Sequence, residues 1–166
     1  MHNQLTKKDI EDMEKEIEHR KLVVRPQCLE AVKEARAQGD LSENFEYYAA
    51  KKEKNKNESR IRFLERMIKT AVVIEDETKD DEAGLNKTVT VEFADDGSIE
   101  EYKLVTTVRC NSVEGLISTE SPVGKALLGH KVGERVHVQV NPQVGYDLII
   151  KAIKDSSDVE EKIRSF

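Results

Sequence analysis

Hydrophobic and polar positions along this chain follow two periods, and the change comes near residue 75. Before it, apolar residues step by three and four: Ile10, Met13 and Ile17 open the series, and Val24, Cys28, Leu29, Val32 and Ala35 continue it. A second series, Ile61, Leu64, Ile68 and Ala71, has coiled-coil spacing. The pattern predicts helix, turn and helix over residues 5–74. Pro26 interrupts the first series, so a kink or break is expected near Arg25. Gln38-Gly39-Asp40-Leu41 is the candidate turn, because glycine after an Ala-rich helix is common C-terminal punctuation. A helix over about residues 10–37 would be roughly 40 Å long. From Lys51 to Arg60 no residue is apolar, so the middle of the hairpin is expected to be thin, held by helix propensity and small residues opposite.

Residues 75–87 read as an acidic linker without periodicity. Beyond it the period is two. Val89, Val91 and Phe93 alternate with polar residues, Asp95-Asp96-Gly97 supplies a hairpin turn, and Ile99 to Val105 pairs back. Leu116 and Ile117 mark a further strand. Ser121-Pro122 opens a short helix, serine as cap and proline at the first helical position, and Gly129 closes it. Val136, Val138 and Val140 alternate again, Asn141 to Gly145 turns, and Tyr146 to Ile153 returns. The tail after Asp155 is charged and expected to fray. The expected architecture is therefore α+β: an antiparallel helical hairpin over 1–74, a linker over 75–87, and over 88–166 a small antiparallel sheet domain with one short helix.

Composition narrows the function classes. Charged residues make up 36% and aromatics 5%, which favours exposed helices over a large globule. No apolar run is long enough for a membrane span, and Met1-His2-Asn3-Gln4 lacks signal-peptide order, so a soluble, cytoplasmic protein without membrane partners is expected. Cys28 and Cys110 have no metal-ligand spacing to the histidines and read as isolated thiols. The net charge of -6 hides an asymmetry: Arg20–Lys69 holds 13 bases and 8 acids, whereas Glu75–Glu120 holds 13 acids and 4 bases. A polyanion should therefore meet the first half.

The chemistry concentrates at the turn. Asp40, Glu43 and Glu46 stand at steps of three, and on a helix they would line one side. Clustered carboxylates at an exposed tip repel one another, and they suit a hard cation such as Mg²⁺, which takes one or two protein carboxylates and keeps several waters. A capping box accounts for the same spacing, with Asp40 capping the second helix and Glu43 reaching back to its N–H. The readings can coexist. Lys52, Lys56 and Arg60 step by four along the second helix, near Lys51, and Arg36 precedes the turn. They form either a solvated face or a basic stripe for phosphates.

The tip Gly39-Asp40-Leu41-Ser42-Glu43-Asn44-Phe45-Glu46-Tyr47, followed by Ala49-Ala50-Lys51, resembles the signature of the Gre transcript-cleavage factors of bacterial RNA polymerase. Ser121-Pro122-Val123-Gly124-Lys125-Ala126-Leu127-Leu128-Gly129, continuing through Lys131-Val132-Gly133, resembles the same family's C-terminal signature. The likeness is nearer the GreA type, with GreB-like features at Arg60-Ile61-Arg62-Phe63-Leu64. It implies an N-terminal coiled coil, a C-terminal domain related in fold to the FK506-binding proteins, and RNA polymerase as partner, its secondary channel admitting the hairpin. It implies that Asp40 and Glu43 hold the polymerase's weakly bound Mg²⁺ jointly with the polymerase, with Glu46, Asn44 and Tyr47 as supporting tip residues. It also implies a basic patch, including Arg36 and Lys51, for backtracked nascent RNA. Such a protein is a cofactor protein in trans and not an enzyme, expected to be a monomer that binds no metal alone. The competing reading is a channel-occupying regulator of the same shape that does not promote cleavage. A self-sufficient hydrolase has no Ser/His/Asp, Cys/His or metal-ligand constellation behind it. Prolyl isomerisation needs an aromatic-lined pocket, and Phe93, Tyr102, Tyr146 and Phe166 are too few to build one.

Overall fold

The computed structural model describes residues 4–39, 44–159 and 161–164. They divide into two compact units, residues 7–72 and residues 73–164 together with 4–6.

The first unit is a helical hairpin. Its first limb runs through α1 (Lys7–His19), a π-turn over Arg20–Val24, and α2 (Arg25–Ala37). The expected break near Arg25 does not occur: Val24 and Arg25 keep right-handed helical dihedrals, and the Arg25 N–H donates to the Arg20 carbonyl five residues back. Pro26 has no N–H to give, and its ring would press on the preceding turn. A turn widened by one residue relieves that clash without ending the helix. The limb stops after Ala37, where Gly39 takes φ +123°, a conformation glycine adopts at little cost. The return limb is one helix, α3 (Phe45–Lys69).

Met13, Ala35, Tyr47, Ile61 and Leu64 are buried in this unit. Leu29, expected in the apolar series, is instead 49% exposed. The polar middle also differs from expectation, because cross-limb hydrogen bonds replace apolar packing. Asn57 is buried and accepts from Arg20 Nη1 at 3.0 Å. Glu16 accepts from Arg20 Nε at 2.7 Å and from Arg60 Nε and Nη2 at 2.8 and 3.2 Å. Arg25 grips Glu58 with two bonds of 2.9 and 2.8 Å, and Lys21 meets Glu65 at 2.7 Å. Burial pushes the Glu16 carboxyl up, but its bonds to Arg60 and Arg20 outweigh this and hold it below the ordinary value. These pairs need particular partners, so they set the register in which the limbs meet.

The second unit is a five-stranded sheet in the order β5-β4-β3-β7-β6, with β3 (Lys87–Phe93), β4 (Ile99–Val105), β5 (Leu116–Ser118), β6 (Arg135–Asn141) and β7 (Val144–Asp155). β1 (Gln4–Leu5) and β2 (Val72–Val73) form a short ribbon, beside which the Ile74 N–H donates to the Leu5 carbonyl. Alternating Val89, Val91, Val136 and Val138 bury one face of the large sheet with Leu104, Leu148 and Ile150, and Leu127 of α4 (Pro122–Leu127) covers it. The sheet is mixed, where an antiparallel one was expected: β5 runs parallel to β4. Residues 106–115 make two 3₁₀ turns between these strands, enough chain to cross over and return in the same direction.

Two segments read as loose are ordered here. Lys87, buried at the end of the acidic stretch, donates to the Lys79 and Glu82 carbonyls at 2.6 and 2.9 Å, and Ala83 joins the core. The tail beyond Asp155 does not simply fray. The Ser156 N–H donates to the Asn86 carbonyl, buried Lys103 donates to the Val159 carbonyl and pairs with Glu161, and the Arg164 N–H donates to the Val108 carbonyl. Both segments wrap a buried ammonium, which periodicity does not reveal. Among the described residues, no helix is long and apolar enough to cross a membrane.

Candidate functional site at the hairpin tip

Asn44 begins the return limb. Its extended backbone (φ −89°, ψ 92°) lets its Oδ1 accept from the Tyr47 N–H at 3.0 Å, an N-cap of α3. Its Nδ2 donates to the Ala35 carbonyl at 2.6 Å, satisfying a carbonyl near the end of α2. One side chain thus ties both limbs together at the tip. The capping assigned to Asp40 and Glu43 by spacing belongs to Asn44 instead. Of the three acids that spacing would set along one side of a helix, Glu46 lies in α3. Asp40 and Glu43 themselves lie outside the described residues.

Glu46 is exposed in the first turn of α3, where a carboxylate favours the helix dipole. Tyr47 is buried, with the Arg36 guanidinium 5.5 Å and the Lys51 ammonium 6.0 Å from its ring centre. A hydrogen bond from Arg36, aided by the charges of Lys51 and Lys54, holds the Tyr47 phenol below its ordinary pKa. The structure therefore brings together Arg36, Lys51, Asn44 and Tyr47, from opposite limbs.

The basic row is brought together only in part. Lys52 and Lys56 are exposed, as a phosphate-steering face requires. Arg60 turns inward, its side chain 10% exposed and bonded to Glu16. In the second unit, Ser121 Oγ accepts from the Gly124 N–H at 3.1 Å and Pro122 opens α4, as expected. Gly124 lies so close to Ser118 that an added Cβ would sit 2.0 Å from its carbonyl oxygen. That is a steric reason for glycine in the second signature.

Residues 3–73 match the family described as "Transcription elongation factor, N-terminal", and residues 71–155 match "Transcription elongation factor, GreA/GreB, C-term". The chain belongs to the GreA/GreB family of transcription elongation factors. It is 43% identical over 150 residues to "Transcription elongation factor GreA" of Geobacillus kaustophilus, covering 90% of this chain and 93% of that protein. Against the GreA of Bacillus subtilis the identity is 41% over 152 residues, covering 92% and 95%. These relatives indicate the GreA type. A solved structure of GreA factor homolog 1 from Thermus thermophilus aligns over 90% of this chain and 97% of its own at 29% identity, with a TM-score of 0.42.

Carboxylate oxygens are the right donors for Mg²⁺. Among the described residues no group of three or more histidine, cysteine or acidic side chains could hold a metal ion.

Proposed function

We propose that this Gre factor inserts its helical hairpin into the secondary channel of RNA polymerase and stimulates cleavage of backtracked nascent RNA, rescuing arrested complexes. One observation carries the proposal: Asn44 caps α3 and clasps Ala35, so neither Asp40 nor Glu43 is needed to start the helix. Acids that no cap requires, in the turn segment of the hairpin, are suited to acting on something outside the chain. Asp40 and Glu43 would hold Mg²⁺ jointly with the polymerase, which owns most of the catalytic surroundings. When bound, that ion supplies water activation in a two-metal phosphoryl transfer. The chain is then a cofactor protein, acting as a monomer. Lys52 and Lys56 offer charge to the phosphates of the displaced RNA, and the sheet unit docks on the polymerase.

The test is a stalled, backtracked elongation complex in Mg²⁺, with the RNA 3′ end followed on addition of the protein. Shortening of the transcript is expected, and free RNA without polymerase should stay intact. A protein that binds the complex but leaves the transcript whole would be a channel-occupying regulator, and the proposal would fall.

A further inference from the structure

Phe45 is 86% exposed and Tyr48 52% exposed, in a chain with few aromatic residues. Three residues apart at the start of α3, they share one side of the helix. Lys52 and Lys56, both exposed, continue that side at steps of four. At about 100° per residue, Glu46 and Glu53 fall roughly a quarter-turn away. The stripe therefore runs from two rings at the tip into two ammonium groups along the shaft. It lies across the helix from Asn57 and Ile61, which face the other limb. Its inner ring is braced: Tyr48 meets Tyr47 edge-on at 5.5 Å and 60°, and Tyr47 is held beneath Arg36 and Lys51.

Sites for single-stranded nucleic acid combine exposed rings, on which bases stack, with cations that follow the backbone. We infer that Phe45 and Tyr48 form a stacking platform for a base of single-stranded RNA whose phosphates run along Lys52 and Lys56. The strand is the displaced 3′ segment of the transcript, so the inference rests on the proposed function. The rings lie two and five residues beyond Glu43 in the chain, so the platform follows directly, in sequence, the acids assigned to cleavage. An apolar protein surface is the poorer occupant, because the stripe continues into charge and not into further apolar side chains.

The experiment uses backtracked elongation complexes carrying 4-thiouridine at the RNA 3′ end. On irradiation with the whole protein, crosslinks should map to residues 45–48. In parallel, cleavage is compared for transcripts ending in a purine or in uridine. Phe45→Ala with Tyr48→Ala should slow cleavage about tenfold, within the range of base–aromatic stacking, and more for purine ends. Phe45→Leu should fail like alanine and Phe45→Trp should keep activity, with circular dichroism confirming the helices. Crosslinks confined to other segments, or full activity in Phe45→Leu, would overturn the platform, the latter because the ring then serves only as apolar cover. If the wild-type protein promotes no cleavage but crosslinks through residues 45–48, the proposed function fails while the platform stands.

Discussion

Asn57 and Arg20 exchange hydrogen bonds across the hairpin: Asn57 Nδ2 donates to the Arg20 carbonyl at 3.3 Å, and Arg20 Nη1 donates to Asn57 Oδ1 at 3.0 Å. The Arg20 carbonyl is also the one reached by Arg25 across the π-turn. The distortion that accommodates Pro26 and the contact of buried Asn57 therefore meet at the same peptide group. Asn57→Ala should destabilise the hairpin by about 1–3 kcal/mol, read by urea unfolding. Asn57→Leu, which fills the space but bonds to nothing, should cost at least as much. A leucine variant as stable as the parent would show that volume alone matters there.

At the tip, Asp40→Asn and Glu43→Gln should leave thermal stability within about 0.5 kcal/mol of the parent, since Asn44 makes the cap. Stimulated cleavage should fall by roughly a hundredfold or more, because neutral amides are poor ligands for a hard dication. Polymerase binding should persist, making the double variant a competitor of the parent protein. A normally folded double variant with near-parental cleavage would remove the role assigned to these acids.

Lys52, Lys56 and Arg60 should separate by variant. Lys52→Glu with Lys56→Glu alters exposed side chains, so the protein should fold normally and lose action on extensively backtracked complexes in a salt-dependent way. Arg60→Glu sets two carboxylates against each other at Glu16 and should cost about 3 kcal/mol in folding. Equal stability of the two variants would contradict the inward placement of Arg60.

Lys103 makes the C-terminal tail part of the sheet unit. Glu161→Ala leaves its buried ammonium with the Val159 carbonyl but without its paired carboxylate, and should lower stability by about 2 kcal/mol or more. Adding Lys103→Met should recover most of the loss, measured by melting temperature. A silent Glu161→Ala would mean that the tail is not held through this pair.

His137 and Asp147 tie β6 to β7 through a 2.6 Å contact. The Asp147 bond, then the Gln139 bond, raise the His137 pKa above 6.5, so its contribution is complete below that value and fades as pH rises through the folded pKa. Bonds from His137 and Arg135 lower the Asp147 pKa below 3.8, so its contribution is complete above that value and fades as pH falls through the folded pKa. The tie is strongest between these limits. His137→Gln should therefore lose more stability at pH 6 than at pH 8, seen as a flatter melting temperature against pH. An unchanged pH profile would rule out the charged pair.

The sequence by itself determined the long helices and the main strands, because helical and strand periods are local properties of side-chain placement; the two-residue strands Gln4–Leu5 and Val72–Val73, at the ends of the span read as helix, turn and helix, are too short to show a period. It located the turn through Gly39, capped α4 through Ser121 and Pro122, and carried two signatures specific enough to name the family. What it left to the tertiary structure are choices among residues of the same type. Asp40 is the cap that spacing suggests, whereas Asn44 is the residue whose Oδ1 accepts from the Tyr47 N–H and whose amide reaches the Ala35 carbonyl. Lys52, Lys56 and Arg60 form one row by spacing, yet Glu16, 44 residues from Arg60 in sequence, takes one of them out of it. Lys87 and Lys103 look like ordinary surface lysines until the carbonyls of the acidic stretch and of the tail close around them. Strand direction at β5 follows from how residues 106–115 cross over, which a three-residue strand does not encode. Partner choice among polar groups depends on distances between segments far apart in the chain, and those exist only once the limbs and strands have packed.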